Sequence, residues 1–166
     1  MTEGGGPEIL RAVVFDVDGV FTDGTFLYSE TGKAYKRFGP DDADAVAHLR
    51  TAVEVVAVSA DKRGEAISRA RIERDMGLPL HMVPAAQRLT WLSDRWALSE
   101  IVYMGDSFLD APVLRAVGYG IAPANADERA RAAADYVTAT RGAERAVAEA
   151  CMHIWDRFQL GERPLA

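Results

Sequence analysis

Two aspartates stand two residues apart in AVVFDVDGV, Asp16 and Asp18, directly after an apolar run. Two more, Asp106 and Asp110, stand four apart in MGDSFLDA, again after an apolar run. A serine, Ser59, sits near the end of a third such run, VEVVAVSA. Carboxylates crowded into one place oppose each other's ionisation unless solvent or a cation compensates. Mg²⁺ suits such a cluster, because it takes oxygen ligands, keeps several waters and offsets the charge of a phosphoryl group. In Asp-x-Asp the first carboxylate can act as a nucleophile toward phosphorus and form an aspartyl-phosphate. The second can reach the leaving-group oxygen as general acid and then activate water as base. Gly19, next in the chain, lets a backbone amide approach a phosphate closely.

These residues act together only if the fold brings them together. The runs at 11–17, 53–60 and 100–106 are rich in valine or isoleucine and end in small or polar residues, the pattern of buried parallel strands. Shorter runs at 80–83 and 119–122 read the same way. Helical patterns lie between them, so the chain reads as an α/β fold with a mainly parallel sheet. Ligands of such sheets bind at the carboxyl ends of the strands. Asp16, Asp18, Ser59 and Asp106 then meet in one crevice, and Asp110, one helical turn after Asp106, faces the same way. Within the helical patterns, Ala66, Ile67 and Ala70 are expected on one side of their helix, with Gly77 as its stop, and Leu89, Leu92 and Trp96 repeat in another. One segment breaks the alternation: GTFLYSETGKAYKRF, residues 24–38, reads as a β-hairpin projecting from the sheet. Asp23 reads as its brace, and Cys151 as a small buried hydrophobe.

The 166 residues fit one domain, expected at 11–158 between a flexible leader, 1–10, and a tail, 159–166. With 49% hydrophobic and 27% charged residues the chain has material for a core. A net charge of −6 argues against nucleic acid as a partner. A single cysteine excludes an internal disulfide framework, and no segment reads as a signal peptide or a membrane span, so a cytoplasmic location is expected.

DVDGV, VSA and GDSFLD resemble three motifs of the haloacid dehalogenase superfamily of phosphohydrolases. Within it, DVDGVFTDG, the hairpin, DDADAVAHL, VGYGIAPANA, ADYVT and RGAERAVAEA resemble the 3-deoxy-D-manno-octulosonate 8-phosphate phosphatase family, over residues 11–151. The resemblance implies a Rossmann-like three-layer α/β/α fold without a cap domain. It also implies a homotetramer, with the hairpins packed at its centre and a neighbouring subunit helping to close each site. It makes Asp16 the nucleophile and a Mg²⁺ ligand, and Asp18 the general acid/base, with its carbonyl on the metal. Asp106 becomes the remaining metal ligand, and Asp110 an acid behind it. Ser59 and Arg88 are assigned catalytic roles at the phosphoryl group, and Gly19, Ser59, Ala60, Arg63 and Arg88 are assigned to substrate binding.

Departures from the family pattern fall at Ser59-Ala60-Asp61, where Thr-Gly-Arg is usual, and at Arg88, where the family has a lysine. Arg63 is a candidate replacement for the missing arginine. Ser107 replaces a second aspartate and is expected to hold a metal-bound water. The Asp42–Ala45 turn and the Gly142–Arg145 segment lack family glycines and are expected to alter the substrate site. The expectation is a Mg²⁺-dependent phosphomonoesterase for a small phosphorylated metabolite, a sugar or sugar acid. The rivals are a catalytically weak homologue serving as a scaffold or regulatory partner, and a phosphotransferase.

Overall fold

The computed structural model describes residue 7 and residues 9–162. The expected leader and tail lie partly outside the described residues, but Leu10 and Leu160 within them are buried in the core. Strand β1, Ala12–Asp16, is buried at every position. It lies between β4, Glu54–Ser59, and β6, Ile101–Met104, in a six-stranded sheet of order β5-β4-β1-β6-β7-β8. The outer strands are β5, Leu80–Met82, β7, Tyr119–Ala122, and β8, Tyr136–Val137, and every neighbouring pair is parallel.

Side chains alternate across a strand, so β1 feeds two cores. Val13 and Phe15 join Val46 and Leu49 of helix α1, Asp42–Leu49, and Val147, Ala150, Cys151 and Ile154 of α6, Ala146–Arg157. Val14 joins Leu92 of α3, Arg88–Ser93, Val113 and Leu114 of α4, Ala111–Ala116, and Ala130 of α5, Glu128–Ala133. The result is the three-layer, Rossmann-like arrangement expected, with no cap domain among the described residues. None of their helices is long and apolar enough to cross a membrane.

Two helical faces differ from the sequence pattern. Helix α2, Glu65–Arg69, continues into a π-helical stretch, Ala70–Asp75. Its buried positions are Ser68 and Ile72, four residues apart on one face, while Ala66 is exposed. Gly77 does stop this helix, at φ +63°. In α3 the buried residues are Arg88 and Leu92, while Leu89 is partly exposed. A charged residue takes the inward place because carboxylates wait there for it.

The hairpin is present as β2, Leu27–Ser29, and β3, Gly32–Tyr35, with an antiparallel bridge between Thr22 and Phe38 at its base. Leu27, Tyr28 and Tyr35 are exposed on it, whereas the side chains of Lys33 and Lys36 are buried.

Candidate active site

The carboxyl ends of β1, β4 and β6 open into one crevice of about 410 Å³. Asp16, Asp18, Ala60, Asp61, Arg88, Asp106 and Ser107 line it, together with Phe26 and Lys33 from the hairpin side. Gly19 and Ser59 are not among the lining residues, but each touches one: Ser59 Oγ bonds Asp18, and Gly19 packs against Asp106. Arg63, by contrast, is exposed and is not among the lining residues. It sits in a helical turn, Lys62–Gly64, after the end of β4.

At the inner end of the crevice, Asp16 Oδ1 accepts hydrogen bonds from Arg88 Nη2 at 2.9 Å and from the Val17 N–H at 2.9 Å. Arg88 Nη1 donates to Asp110 Oδ1 at 2.6 Å and to the Tyr103 hydroxyl at 2.8 Å. Tyr103 in turn donates to Asp110 Oδ1 at 2.6 Å, and the Ser107 N–H occupies Asp110 Oδ2 at 2.9 Å. Both Asp110 oxygens are therefore engaged, and the residue brackets Arg88 from behind. Burial pushes the Asp16 carboxyl well above the ordinary range; Asp110 and Asp106 add to this and Arg88 opposes it. Asp106 is pushed up to about 7, by burial first and then by the charge of Asp110.

Asp18 points the other way. Its Oδ2 accepts from Ser59 Oγ at 3.2 Å, and its Oδ1 is ion-paired with Lys36 Nζ at 2.7 Å. Ser59 Oγ also accepts the Asp61 N–H, so it ties the two strand ends together and stays fully buried. The loop between the aspartates and the hairpin is fastened by Thr22, whose Oγ1 accepts from the N–H groups of Gly19 and Gly24. Gly19 has φ +84°, and a Cβ there would lie 1.9 Å from Asp106 Oδ2. A glycine is required for Asp106 to reach this loop. Asp23, as expected, braces the hairpin base: it accepts from the Thr25 N–H and hydroxyl.

The charge balance tests whether a metal fits. Asp16, Asp18, Asp61, Asp106 and Asp110 face Lys33, Lys36 and Arg88, which leaves two negative charges uncompensated. Carboxylate oxygens of Asp16, Asp106 and Asp110 lie within 4.8 Å of one another. The residues fit a divalent, oxygen-seeking cation. Since Asp110 is engaged on both oxygens, Asp16 and Asp106 are the acids placed to hold it.

A family model for haloacid dehalogenase-like hydrolases matches residues 90–151. The 3-deoxy-D-manno-octulosonate 8-phosphate phosphatase of Haemophilus influenzae is 33% identical over 147 residues, spanning 86% of this chain and 81% of that protein. The chain belongs to the 3-deoxy-D-manno-octulosonate 8-phosphate phosphatase family of haloacid dehalogenase-like hydrolases. It is a phosphatase of that type. Among solved structures, a cobalt-bound deoxy-D-mannose-octulosonate 8-phosphate phosphatase from Haemophilus influenzae superposes with a TM-score of 0.81 at 28% identity, covering 90% of each chain. The Moraxella catarrhalis phosphatase, in complex with magnesium, phosphate and KDO, superposes with a TM-score of 0.77 at 25% identity, also covering 90% of each chain.

Several residues of this phosphatase crevice escaped the sequence reading. Tyr103 lies inside a strand that reads as uniformly apolar, and no signal separates it. Asn125 donates from Nδ2 to the Gly19 carbonyl at 3.0 Å and accepts the Gly142 N–H at 2.6 Å, clamping the aspartate loop to the segment before α6. Its place in a loop after β7 was a usable signal, since that loop also leaves a strand's carboxyl end. Lys33, Lys36 and Asp61 form a network that only the folded hairpin brings together. Asp42, expected in a turn shaping the substrate site, is instead buried between α1 and α6 and is not among the residues lining the crevice.

Proposed function

We propose that the protein is a Mg²⁺-dependent phosphomonoesterase of a small phosphorylated sugar or sugar acid, working through an aspartyl-phosphate on Asp16. The observation that carries this reading is the orientation of Asp16. Arg88 and the Val17 N–H hold one oxygen of a carboxylate at a strand end, which fixes the direction of the carboxylate toward the crevice. A nucleophile must be held in this way for in-line attack. Asp16, Asp106 and the Asp18 carbonyl would hold Mg²⁺, which supplies charge stabilisation of the phosphoryl oxygens when bound. The relatives with cobalt, or with magnesium and phosphate, support that assignment.

In this reading Asp16 attacks phosphorus as Asp18 gives its proton to the leaving alcohol. Asp18 then takes a proton from the water that opens the acyl phosphate. Arg88 balances negative charge at Asp16 and on the phosphoryl group. Ser59 positions Asp18, and the Gly19 loop leaves room for the phosphate. Ser107 lines the crevice, and its Oγ accepts the Leu109 N–H, which leaves the hydroxyl proton for a water. Asp16→Asn should lower kcat for phosphoester hydrolysis about 10,000-fold or more while the protein stays folded. Wild-type turnover in this variant would overturn the assignment.

The hairpin supports assembly into a homotetramer. Leu27, Tyr28 and Tyr35 are 62%, 61% and 68% exposed, an apolar face that a second copy can cover. Light scattering at working concentration should give the tetramer mass, and a monomer would contradict this.

A further inference from the structure

The hairpin sends one of its lysines to Asp18, the residue that gives the proton in the phosphatase reading. Lys36 directly follows β3, and its side chain is wholly buried, whereas its neighbour Tyr35 is exposed. Lys36 Nζ lies 2.7 Å from Asp18 Oδ1 and 2.8 Å from Asp61 Oδ2, and it donates to Ser68 Oγ at 2.8 Å. Asp61 Oδ2 also accepts from Lys33 Nζ at 2.6 Å. Two ammoniums thus face two carboxylates, and this end of the crevice is balanced in charge. Taking an ammonium out of water is costly unless its partners compensate. Lys33 already neutralises Asp61, so the partner that Lys36 adds is Asp18.

The surrounding helix is shaped to admit this ammonium. Gly64 stands just before α2, and a Cβ there would lie 2.6 Å from Lys36 Cε, 2.9 Å from Lys36 Nζ and 2.2 Å from Asp61 Oδ2. Any side chain at that position pushes the ammonium off its partners. Ser68 takes an inward place on α2 and is fully buried, where its hydroxyl receives the Lys36 hydrogen bond.

The two oxygens of Asp18 differ as a result. Oδ1 is buried and accepts no hydrogen bond among the described residues; the Lys36 ammonium faces it as an ion pair. The side chain is nevertheless 19% exposed and lines the crevice, which leaves Oδ2 as its open oxygen. The hydrogen bond to Oδ2, from Ser59 Oγ, is long at 3.2 Å. Asp18 lies beyond the end of β1, so no strand ladder fixes it. A carboxylate anchored through one oxygen presents the other in a set direction, and proton transfer to a leaving alcohol needs that direction.

We propose that Lys36 is a positioning residue for proton transfer: it anchors Asp18 through Oδ1 so that Oδ2 reaches the oxygen of the departing alcohol. The inference rests on the phosphatase reading above and adds to it a hairpin residue that does not line the crevice. In the step concerned, the bond from Asp16 to phosphorus forms as the bond from phosphorus to the alcohol oxygen breaks. The proton on Asp18 Oδ2 passes to that oxygen, and Asp18 is left as the anion that the Lys36 ammonium faces.

The test uses a series of substituted phenyl phosphates with Mg²⁺, from p-nitrophenyl to phenyl, and follows kcat/KM, which reports transfer to Asp16 and loss of the phenol. Nitrophenolate leaves without a proton, whereas phenolate is helped by one. The dependence of kcat/KM on leaving-group acidity therefore measures how well Asp18 delivers its proton, and it should be shallow in the wild type. Lys36→Met should lower kcat/KM for phenyl phosphate about tenfold to 100-fold, a share of what positioned proton transfer supplies, and change p-nitrophenyl phosphate little. In an Asp18→Asn background the same substitution should cost nothing further, because no proton remains to be aimed. Gly64→Ala leaves every charge in place and displaces the ammonium, so it should steepen the dependence in the same direction by less. A Lys36→Met protein that loses activity equally on all esters, keeps the wild-type dependence or hydrolyses phenyl phosphate faster overturns the proposal. So does a further loss on top of Asp18→Asn. If Lys36→Met does not fold, Gly64→Ala decides, and a wild-type dependence there overturns the proposal. Absence of p-nitrophenyl phosphate turnover by wild-type enzyme would sink the phosphatase reading itself, whereas turnover with unaltered dependence in the variants would sink only the role of Lys36.

Discussion

Asp16 and Asp42 are both buried carboxylates, 5% and 2% exposed, and the protein treats them in opposite ways. Asp16 lies at a strand end beside other acids, and a guanidinium is brought to it across 72 residues of sequence. Asp42 lies at the start of α1 against α6, where its Oδ1 accepts the Ala148 N–H at 3.0 Å and its Oδ2 has no hydrogen-bond partner. Burying an ionised carboxylate is costly unless it is paired, and an unpaired one escapes by taking up a proton. At the crevice a cation is supplied: Arg88 pairs with Asp16 and opposes the rise that burial imposes on its carboxyl. Between α1 and α6 no chemistry requires the charge, and the raised pKa of Asp42, about 6, is the response. A raised carboxylate pKa therefore does not by itself mark a reactive group; the paired cation and the open crevice distinguish Asp16.

The sharpest way to break this comparison is to remove the cation. Arg88→Met would leave Asp16 and Asp110 buried without their guanidinium, the situation that already holds at Asp42. Breaking a buried pair from one side costs about 3–5 kcal/mol, and loss of one charge-stabilising donor at the reacting group costs about 100- to 1,000-fold in kcat. Urea unfolding and kcat should both show the loss. Arg88→Lys should recover part of each, because an ammonium can pair with Asp16 or with Asp110 but lacks the planar fork that bridges them and Tyr103. A Met variant with wild-type stability and turnover would show that Asp16 does not depend on its cation.

The asymmetry between the two acids also shows what could be read from the chain. Asp16, Asp18, Ser59 and Asp106 were legible because strand periodicity places the ends of apolar runs side by side, and the observed order β4-β1-β6 does this. The hairpin was legible as an element, from its β-prone arms and central turn. The direction its lysines take was not, since Lys33 and Lys36 read as ordinary solvated charges until β3 folds against the strand ends. Arg88 was expected from resemblance, but its helical pattern pointed to Leu89 as the inward residue. Charge pairing overrode hydrophobic periodicity at that turn. Arg63 lies in the turn Lys62–Gly64, exposed and outside the lining of the crevice, and sequence proximity to Ser59 carried no information about that turn. Asp42 reads as a polar turn residue, and only the packing of α6 over it makes it a buried acid.

A gentler change sharpens the comparison from the other side. Asp42 has an ordinary pKa of 3.8, raised to about 6 in the fold by burial, against the opposing effects of the Ala148 hydrogen bond and Arg71. The folded state therefore binds the proton more tightly than the unfolded chain. Between pH 4 and 6 the unfolded state holds fewer protons, so the contribution of this group to stability falls as pH rises, and it levels off above the folded pKa. Asp42→Asn keeps an oxygen for the Ala148 N–H and removes the charge. Its stabilisation over wild type should be near zero at pH 4, grow through pH 6 and level off by pH 7.5, at no more than about 3 kcal/mol for a shift of roughly two pH units. Urea denaturation across that range would show the trend, while kcat at pH 7.5 should change little because Asp42 does not line the crevice. A stability difference that is flat with pH would mean that Asp42 stays ionised in the fold and that the seam between α1 and α6 compensates charge as the crevice does.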